Sequence, residues 1–432
     1  MWNVNELIVL SDIHLAAERD TGSFRSDREL TECLRWILTE TRNSVTVLAG
    51  DTFEFMLTGD SNGSTGFDRF SSHISQIIKH HPEVFDALTE LVRSTDHQLV
   101  IMAGDHDSEL ILPNVRETVE RRLGIDFFNP KIHWLVQGEA FRVRVGHATV
   151  VVEHGNALDP WNRIDEAGLQ SVLSLGSRNL FDICDQQQPL GSSLRSTVMR
   201  SFRSRYPWID CLKPATENIL PLLWYVGSAS QQEEIKDFAD KYRNKKEPAL
   251  REKIGNIHNP TALYRGEKEA EEETEFEEWS KAIPGQNGNA AIKEKLLGKL
   301  RKVVAQDTFF AIDQPDDSVK YLQPVFEGGA DLIIHGHTHA AKALALRSGV
   351  HLNTGTWTQL LPLPKSSESD DVWKQFLHRL STDAVENFSR PTLAHVQYHL
   401  NNDVTTAALL EWQQMKPKVL GMHNCGKHRK EN

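Results

Sequence analysis

Apolar residues in the first third of the chain recur with two different periods. Glu6 to Leu10, Val45 to Leu48 and Gln98 to Met102 are compact apolar runs of strand length. Between them, Arg28 to Thr41 sets Leu30, Leu34, Ile37 and Leu38 at helical spacing, and Phe67 to Lys79 and Pro82 to Arg93 also read as helices. Strand and helix in alternation predict an α/β sheet with parallel strands. Ile132 to Gln137, Phe141 to Val145 and Thr149 to Val152 follow as consecutive strands. The β pattern returns at Asp331, runs through Val350 to Leu352, and closes with Thr392 to Leu400 and Val404 to Trp412. Asn401, Asn402 and Asp403 between the last two predict a hairpin turn.

The middle of the chain carries little strand signal and is too long for a loop inside a compact domain. The expected organisation is a mixed-sheet core from residues 1–160 and 321–415, a helical cap over 161–320, and a frayed polar tail over 416–432. Within the cap, Glu267 to Glu278 reads as a solvated acidic face or linker. Leu194 to Arg205 mixes Arg195, Arg200, Arg203 and Arg205 with Leu194, Val198, Met199 and Phe202, and Tyr206, Trp208, Trp224 and Tyr225 follow. That mixture suits either a helix packed on a core or a basic, aromatic surface for an anionic ligand.

Composition narrows the functional classes. A net charge of −12 argues against nonspecific wrapping of nucleic acid, though a local basic groove is compatible with it. No run reaches the ~18 apolar residues of a membrane span, so a cytoplasmic location is expected. Cys33, Cys184, Cys211 and Cys425 are scattered and form no CxxC pair, which points to reduced thiols.

Five apolar runs end in Asp, His and Gly. The blocks are Ser11-Asp12-Ile13-His14, Ala49-Gly50-Asp51, Gly104-Asp105-His106-Asp107, Glu153-His154-Gly155-Asn156 and His335-Gly336-His337-Thr338-His339. Carboxylate and imidazole donors at the carboxyl edge of a parallel sheet suit two divalent cations acting together. Asp12 and His14 are two residues apart, so strand periodicity would aim both to one side. Asp51 has two oxygens with which to bridge, and the glycines allow close backbone approach.

In this order the blocks resemble the calcineurin-like metallophosphoesterases, whose pattern is DxH, GD, GNH(D/E), a lone His after a strand, and GHxH. The resemblance implies an α/β fold, a mixed β-sheet sandwich flanked by helices, here with a large helical insertion. It implies Asp12, His14, Asp51 and His339 around one ion, and Asp51, Asp105, His154 and His337 around the other. The ions would be divalent, with manganese first and iron, zinc, nickel, cobalt or magnesium as alternatives. His106 takes the place of the family's catalytic histidine; next to it, Asp107 either orients that imidazole or points outward. Asp105 stands where the family carries Asn and adds a negative charge. Ser11 to Leu15, Gly50 to Glu54 and Ile334 to His339 are also similar to bacterial hydrolases that split the pyrophosphate of UDP-diacylglucosamine, which carry Arg at the position of His106.

The expected reaction is hydrolysis of a phosphodiester or pyrophosphate in an anionic substrate, nucleotide-containing or lipid-linked, by a water or hydroxide held between the cations. A nuclease and a scaffold that has lost turnover are the alternatives. Asn156 and Arg163 are candidate substrate contacts, Arg163 for a phosphate. Asp159 and Asn162 lie near the same entrance.

Overall fold

The computed structural model describes residues 1–17, 22–55, 68–125, 132–159, 162, 198–203, 205–214, 219–244 and 290–426. The chain divides into two compact units, one formed by Met1–Ser193, Thr308–Leu361 and Glu386–Asn432, the other by Leu194–Asp307 and Pro362–Val385.

The first unit is an α/β sandwich of two mixed sheets. One sheet has seven strands: β2 (Glu6–Leu10), β3 (Ser44–Ala49), β4 (His97–Met102) and β5 (Ile132–Leu135) run parallel. β11 (Thr392–His399), β12 (Val404–Gln413) and β13 (Lys416–Cys425) extend it antiparallel from the β2 side. The other sheet orders β1 (Trp2–Val4), β6 (Phe141–Val145), β7 (Ala148–Val152), β8 (Leu332–His335), β10 (Gly349–Asn353) and β9 (Lys342–Leu346). β7, β8 and β10 are mutually parallel.

Period-2 alternation explains the layering. On β2, Leu7 and Val9 join Val45, Val47 and Val100 against Val143, Val150, Ile334 and Leu352 of the facing sheet. Ile8 and Leu10 point the other way, onto helices α1 (Asp27–Glu40) and α3 (Pro82–Arg93). Both helices match their sequence pattern: Leu30, Leu34 and Ile37 are buried on α1, and Val84, Leu88 and Leu91 on α3. Helices α2 (Asp68–His80) and α4 (Pro113–Arg122) pack on the same side. Phe326 of the short helix α8 (Gln323–Glu327), with Leu322 beside it, covers Val151 and Ile333 on the outer face of the second sheet.

One expectation needs correction. Lys416–Cys425, read as the start of a polar tail, is the edge strand β13, paired along its length with β12. Its polar residues are those of an edge strand, charged toward solvent where Lys416 and Lys418 blunt an otherwise sticky edge. Trp2–Val4, which had no reading, pairs in parallel with β6.

The second unit is mainly helical in its described residues, with α5 (Ile219–Val226), α6 (Ala229–Asn244), α7 (Ala290–Gln306) and α9 (Asp370–Ser381) beside a two-residue strand at Leu212–Lys213. Its aromatic residues form core. Phe202, Tyr206, Trp208 and Trp224 are buried, Tyr206 Oη donates to Val226 O at 2.8 Å, and Trp208 Nε1 donates to Leu380 O at 2.9 Å. Arg203 is held by Asp210 at 2.7 and 3.0 Å. The apolar side of the 198–203 segment therefore faces inward, as a packed helix requires. The 267–278 acidic run lies outside the described residues.

Candidate metal centre

The five polar blocks sit beyond the carboxyl ends of β2, β3, β4, β7 and β8. Three of these strands belong to one sheet and two to the other, so the blocks meet at a shared edge of the sandwich. Backbone hydrogen bonds bind them together: Asp12 N to Gly50 O at 3.2 Å, His14 N to Asp51 O at 2.9 Å, and Gly336 N to His154 O at 2.9 Å. A strap at 353–357 closes the cluster. Asn353 Nδ2 donates to Gly336 O at 2.9 Å, and Trp357 N donates to Asp12 O at 3.1 Å.

Asp12 and His14 face one side for a reason other than strand pleating. Both lie past the end of β2, with φ of 52° and 57°, in the left-handed region. Asp51, His337 and His339 share it, at 51°, 65° and 61°. Each such residue costs about 1–2 kcal/mol unless it is glycine. Strain of this kind persists only where surrounding structure imposes it, and it gathers at functional sites. Glycine is needed at Gly104 and Gly336 by crowding: a Cβ would collide with the Asp51 carboxylate at the first and with Ser11 Oγ at the second.

The side chains gather into two groups. In one, His154 Nε2 lies 3.2 Å from Asp105 Oδ1 and 3.4 Å from Asp51 Oδ2, and His337 Nδ1 lies 3.0 Å from Asp105 Oδ1. In the other, His339 Nε2 is 3.3 Å from both Asp12 Oδ1 and His14 Nε2. Asp51 Oδ2 lies between the groups, 3.7 Å from His14 Nε2. Within each group the donor atoms fall inside 4.8 Å of one another, spacing that allows one cation per group, and His14, Asp51 and His106 make a third such set that overlaps both. Arg163 lies outside the described residues, and Asn156 sits in the turn after His154 with its amide donating to Asn162 O at 3.4 Å.

Hydrogen bonds behind three imidazoles fix which nitrogen faces inward. His154 Nδ1 donates to Ala49 O at 2.9 Å, His14 Nδ1 to Glu54 Oε2 at 3.2 Å, and His337 Nε2 to Asp159 Oδ2 at 3.1 Å. This is how metal-binding histidines are oriented, with the outer nitrogen anchored and the inner one free to ligate. The buried Asp12 Oδ1 has no neighbour but the His339 imidazole at 3.3 Å to offset its charge, an arrangement open to a cation between the two. The donor set fits divalent cations.

Charge balance points the same way. Burial would raise the Asp105 pKa, but His337 and His154 outweigh it and hold the group well below the usual carboxylate range. Burial likewise opposes the charged form of His337, yet Asp105 and Asp159 push its pKa up to about 10. His154 is raised well above its ordinary value, against burial, by Asp51 and Asp105. In the protein alone, protons on imidazoles balance the buried carboxylates, a role that cations take over on binding.

His106 stands edge-on to His14, with ring centroids 4.6 Å apart, and its Nδ1 donates to Glu54 Oε2 at 2.8 Å. The reading in which Asp107 orients His106 is corrected. Asp107 accepts backbone N–H groups from Gly104 at 2.6 Å, Thr52 at 2.8 Å, Phe53 at 3.2 Å and Asp51 at 3.3 Å. It ties two loops together, and burial with nearby Asp51 pushes its pKa up to about 7. Glu54 does the orienting. Its sequence signal was an acid between Phe53 and Phe55, which a buried partner alone would justify. Asp159 had a weaker one, proximity to the His154 block.

No family model and no curated protein matches the chain. Solved structures similar to it include a single mutant of Vps29 from Entamoeba histolytica, at 10% identity and TM-score 0.30 over 97% of this chain and 98% of that one. A putative 5′-nucleotidase from Staphylococcus aureus follows at 11% identity and TM-score 0.30, covering 97% and 53%. A phosphopantetheinyl hydrolase from Mycobacterium tuberculosis has 9% identity and TM-score 0.26, covering 82% and 90%. Likeness at this level leaves the chemistry to rest on the chain's own side chains.

Proposed function

We propose that the chain is a metal-dependent phosphoesterase of the metallophosphoesterase type, hydrolysing a phosphodiester or pyrophosphate bond in an anionic substrate. The observation that carries this reading is the pair of donor sets joined at Asp51, with the outer nitrogens of His14, His154 and His337 already anchored. Asp12, His14, Asp51 and His339 would hold one divalent ion, and Asp51, Asp105, His154 and His337 a second. Manganese heads the candidates, with iron, zinc, nickel, cobalt and magnesium behind it. When bound, such ions make water acidic enough to act as a nucleophile near neutral pH and offset charge on the phosphoryl oxygens.

The chain's own groups handle the departing oxygen. As the bond from phosphorus to the leaving oxygen breaks, its electron pair stays on that oxygen, and His106 supplies the proton from Nε2. Glu54 keeps hold of Nδ1–H and so fixes the ring's orientation, while also anchoring His14. Asp107 keeps the loops carrying Asp51 and Asp105 in place through their backbone amides.

Hydrolysis of bis(p-nitrophenyl) phosphate with each of the six metals tests the reading. Turnover that depends on metal and falls in His106→Ala supports it. Absence of turnover with every metal, in protein shown to be folded, would leave a scaffold without activity.

A further inference from the structure

The two carboxylate oxygens of Asp12 meet different neighbours. Oδ1 faces the His339 imidazole, 3.3 Å away. Oδ2 is held twice, by the backbone N–H of His337 at 2.9 Å and by the hydroxyl of Ser11. A carboxylate only accepts, so Ser11 gives its single proton to Asp12. The Thr354 hydroxyl, 2.5 Å from Ser11 Oγ, is then the donor in that pair.

These residues are fixed in turn. Ser11, Asp12 and Thr354 are each 0% exposed. Thr354 N donates to His335 O at 2.9 Å, and Thr354 O accepts from Thr392 Oγ1 at 2.6 Å. The strap also grips the Asp12 backbone, for Thr356 Oγ1 and Trp357 N both donate to Asp12 O, at 3.0 and 3.1 Å. Gly336 closes over the same corner: a Cβ there would overlap both Ser11 Oγ and Asp12 Oδ2. Backbone, and not open space, therefore lies against Oδ2 on that side.

We propose that the hydroxyls of Ser11 and Thr354 make Asp12 a ligand through Oδ1 alone and so set which cation is taken between Asp12 and His339, an inference that rests on the metal-dependent reading above. Manganese, iron and zinc are served by single carboxylate oxygens beside imidazoles such as His14 and His339. Calcium is larger, gathers about six to eight oxygens and often takes both oxygens of one carboxylate. Withholding Oδ2 therefore disfavours calcium beyond what the two histidines do. Ser11 and Thr354, buried behind Asp12, act through it as positioning residues.

The test compares full-length wild type with Ser11→Ala, Thr354→Val and Thr354→Ser, each stripped of metal and titrated with manganese and, separately, with calcium against a chromophoric chelator. In Ser11→Ala and Thr354→Val the affinity for one of two manganese ions should fall by about 10–100-fold, as when a group behind a metal ligand is removed. Calcium affinity should hold or rise because Oδ2 is released, which shifts the ratio of the two affinities by about tenfold or more. Thr354→Ser keeps the hydroxyl and should keep the wild-type ratio. A purely structural role would instead lower both affinities together. A crystal of the manganese-loaded wild type should show Asp12 bound to the ion through Oδ1, with Oδ2 still on Ser11, and it decides the matter even if the variants do not fold. Manganese and calcium affinities that fall in parallel or stay unchanged in Ser11→Ala, or a bidentate Asp12 in that crystal, would overturn the proposal while leaving the metal-dependent reading in place. Wild-type protein that binds no manganese at these donors would overturn that reading and the proposal with it.

Discussion

Replacing Glu54 by Gln probes the candidate centre at its most economical point, because one carboxylate oxygen anchors two imidazoles. Glu54 Oε2 accepts from His106 at 2.8 Å and from His14 at 3.2 Å, and the residue is 5% exposed. Burial disfavours its charge, but His106 and His14 more than compensate and hold its pKa well below the normal range. Gln keeps the shape and loses the charge. Its carbonyl oxygen can accept one N–H, while its NH₂ group confronts the other ring with a second donor. At least one hydrogen bond to a charged group disappears, worth about 1.5–3 kcal/mol. The expected consequence at His14 is a 10–100-fold loss of affinity for one ion, the usual cost of removing a carboxylate behind a metal-binding histidine. At His106 the consequence is a poorly oriented acid. Under saturating manganese, hydrolysis of diphenyl phosphate, whose leaving group needs a proton, should fall by on the order of 10²-fold or more. Bis(p-nitrophenyl) phosphate, with its better leaving group, should lose much less. Metal affinity comes from competition with a chromophoric chelator, and kcat from the two esters. An unchanged affinity together with equal losses on both esters would refute the reasoning.

Other consequences follow from the same geometry. Asp107→Asn leaves one oxygen to serve four backbone N–H groups, and should lower stability by about 2–4 kcal/mol in urea unfolding, from unsatisfied buried donors at ~1–3 kcal/mol each; a loss below about 0.5 kcal/mol would contradict the role assigned to it. Gly104→Ala should displace Asp51 and weaken binding of both ions while costing about 1–3 kcal/mol of stability, read by calorimetric metal titration and thermal melting; binding like wild type would show that the crowding is harmless. His337 titrates at about 10 in the metal-free protein against ~6.5 when unfolded, so its contribution to stability is complete below pH 6.5 and is lost as pH rises toward 10. Chelator-treated protein should therefore melt at progressively lower temperature across that range, and added manganese should flatten the dependence; a rising melting temperature would count against it.

Much of this centre was legible in the sequence because the strands that build it are apolar and its donors are not. Each β-run stops at an Asp or His, so the break in hydropathy marks both the end of the strand and the residues beyond it. The periodicity of Leu7, Val9, Ile8 and Leu10 likewise carries the two-layer packing. What the pattern could not convey is conformation and pairing at a distance. Asp12 and His14 look like alternate strand positions, and only their left-handed backbones show that a turn aims them. Asp107 looks like the natural partner of His106 because it is adjacent, but adjacency in a tight turn sends its carboxylate back to the amides of residues 51–53. Glu54 meets His106 across 52 residues, a contact that no local spacing encodes. β13 escaped notice because an edge strand with one solvated side is polar by necessity.

The central claim is that two cations meet at Asp51. Manganese titrated into chelator-treated protein, with bis(p-nitrophenyl) phosphate hydrolysis followed at each addition, tests it most directly when wild type and Asp51→Asn are run side by side. The account expects no hydrolysis without metal, a rise that saturates only after two ions per chain have bound at this centre, and loss of both ions and of turnover in the variant. Turnover that persists in Asp51→Asn, or wild-type protein that binds no ion at these donors, would contradict it.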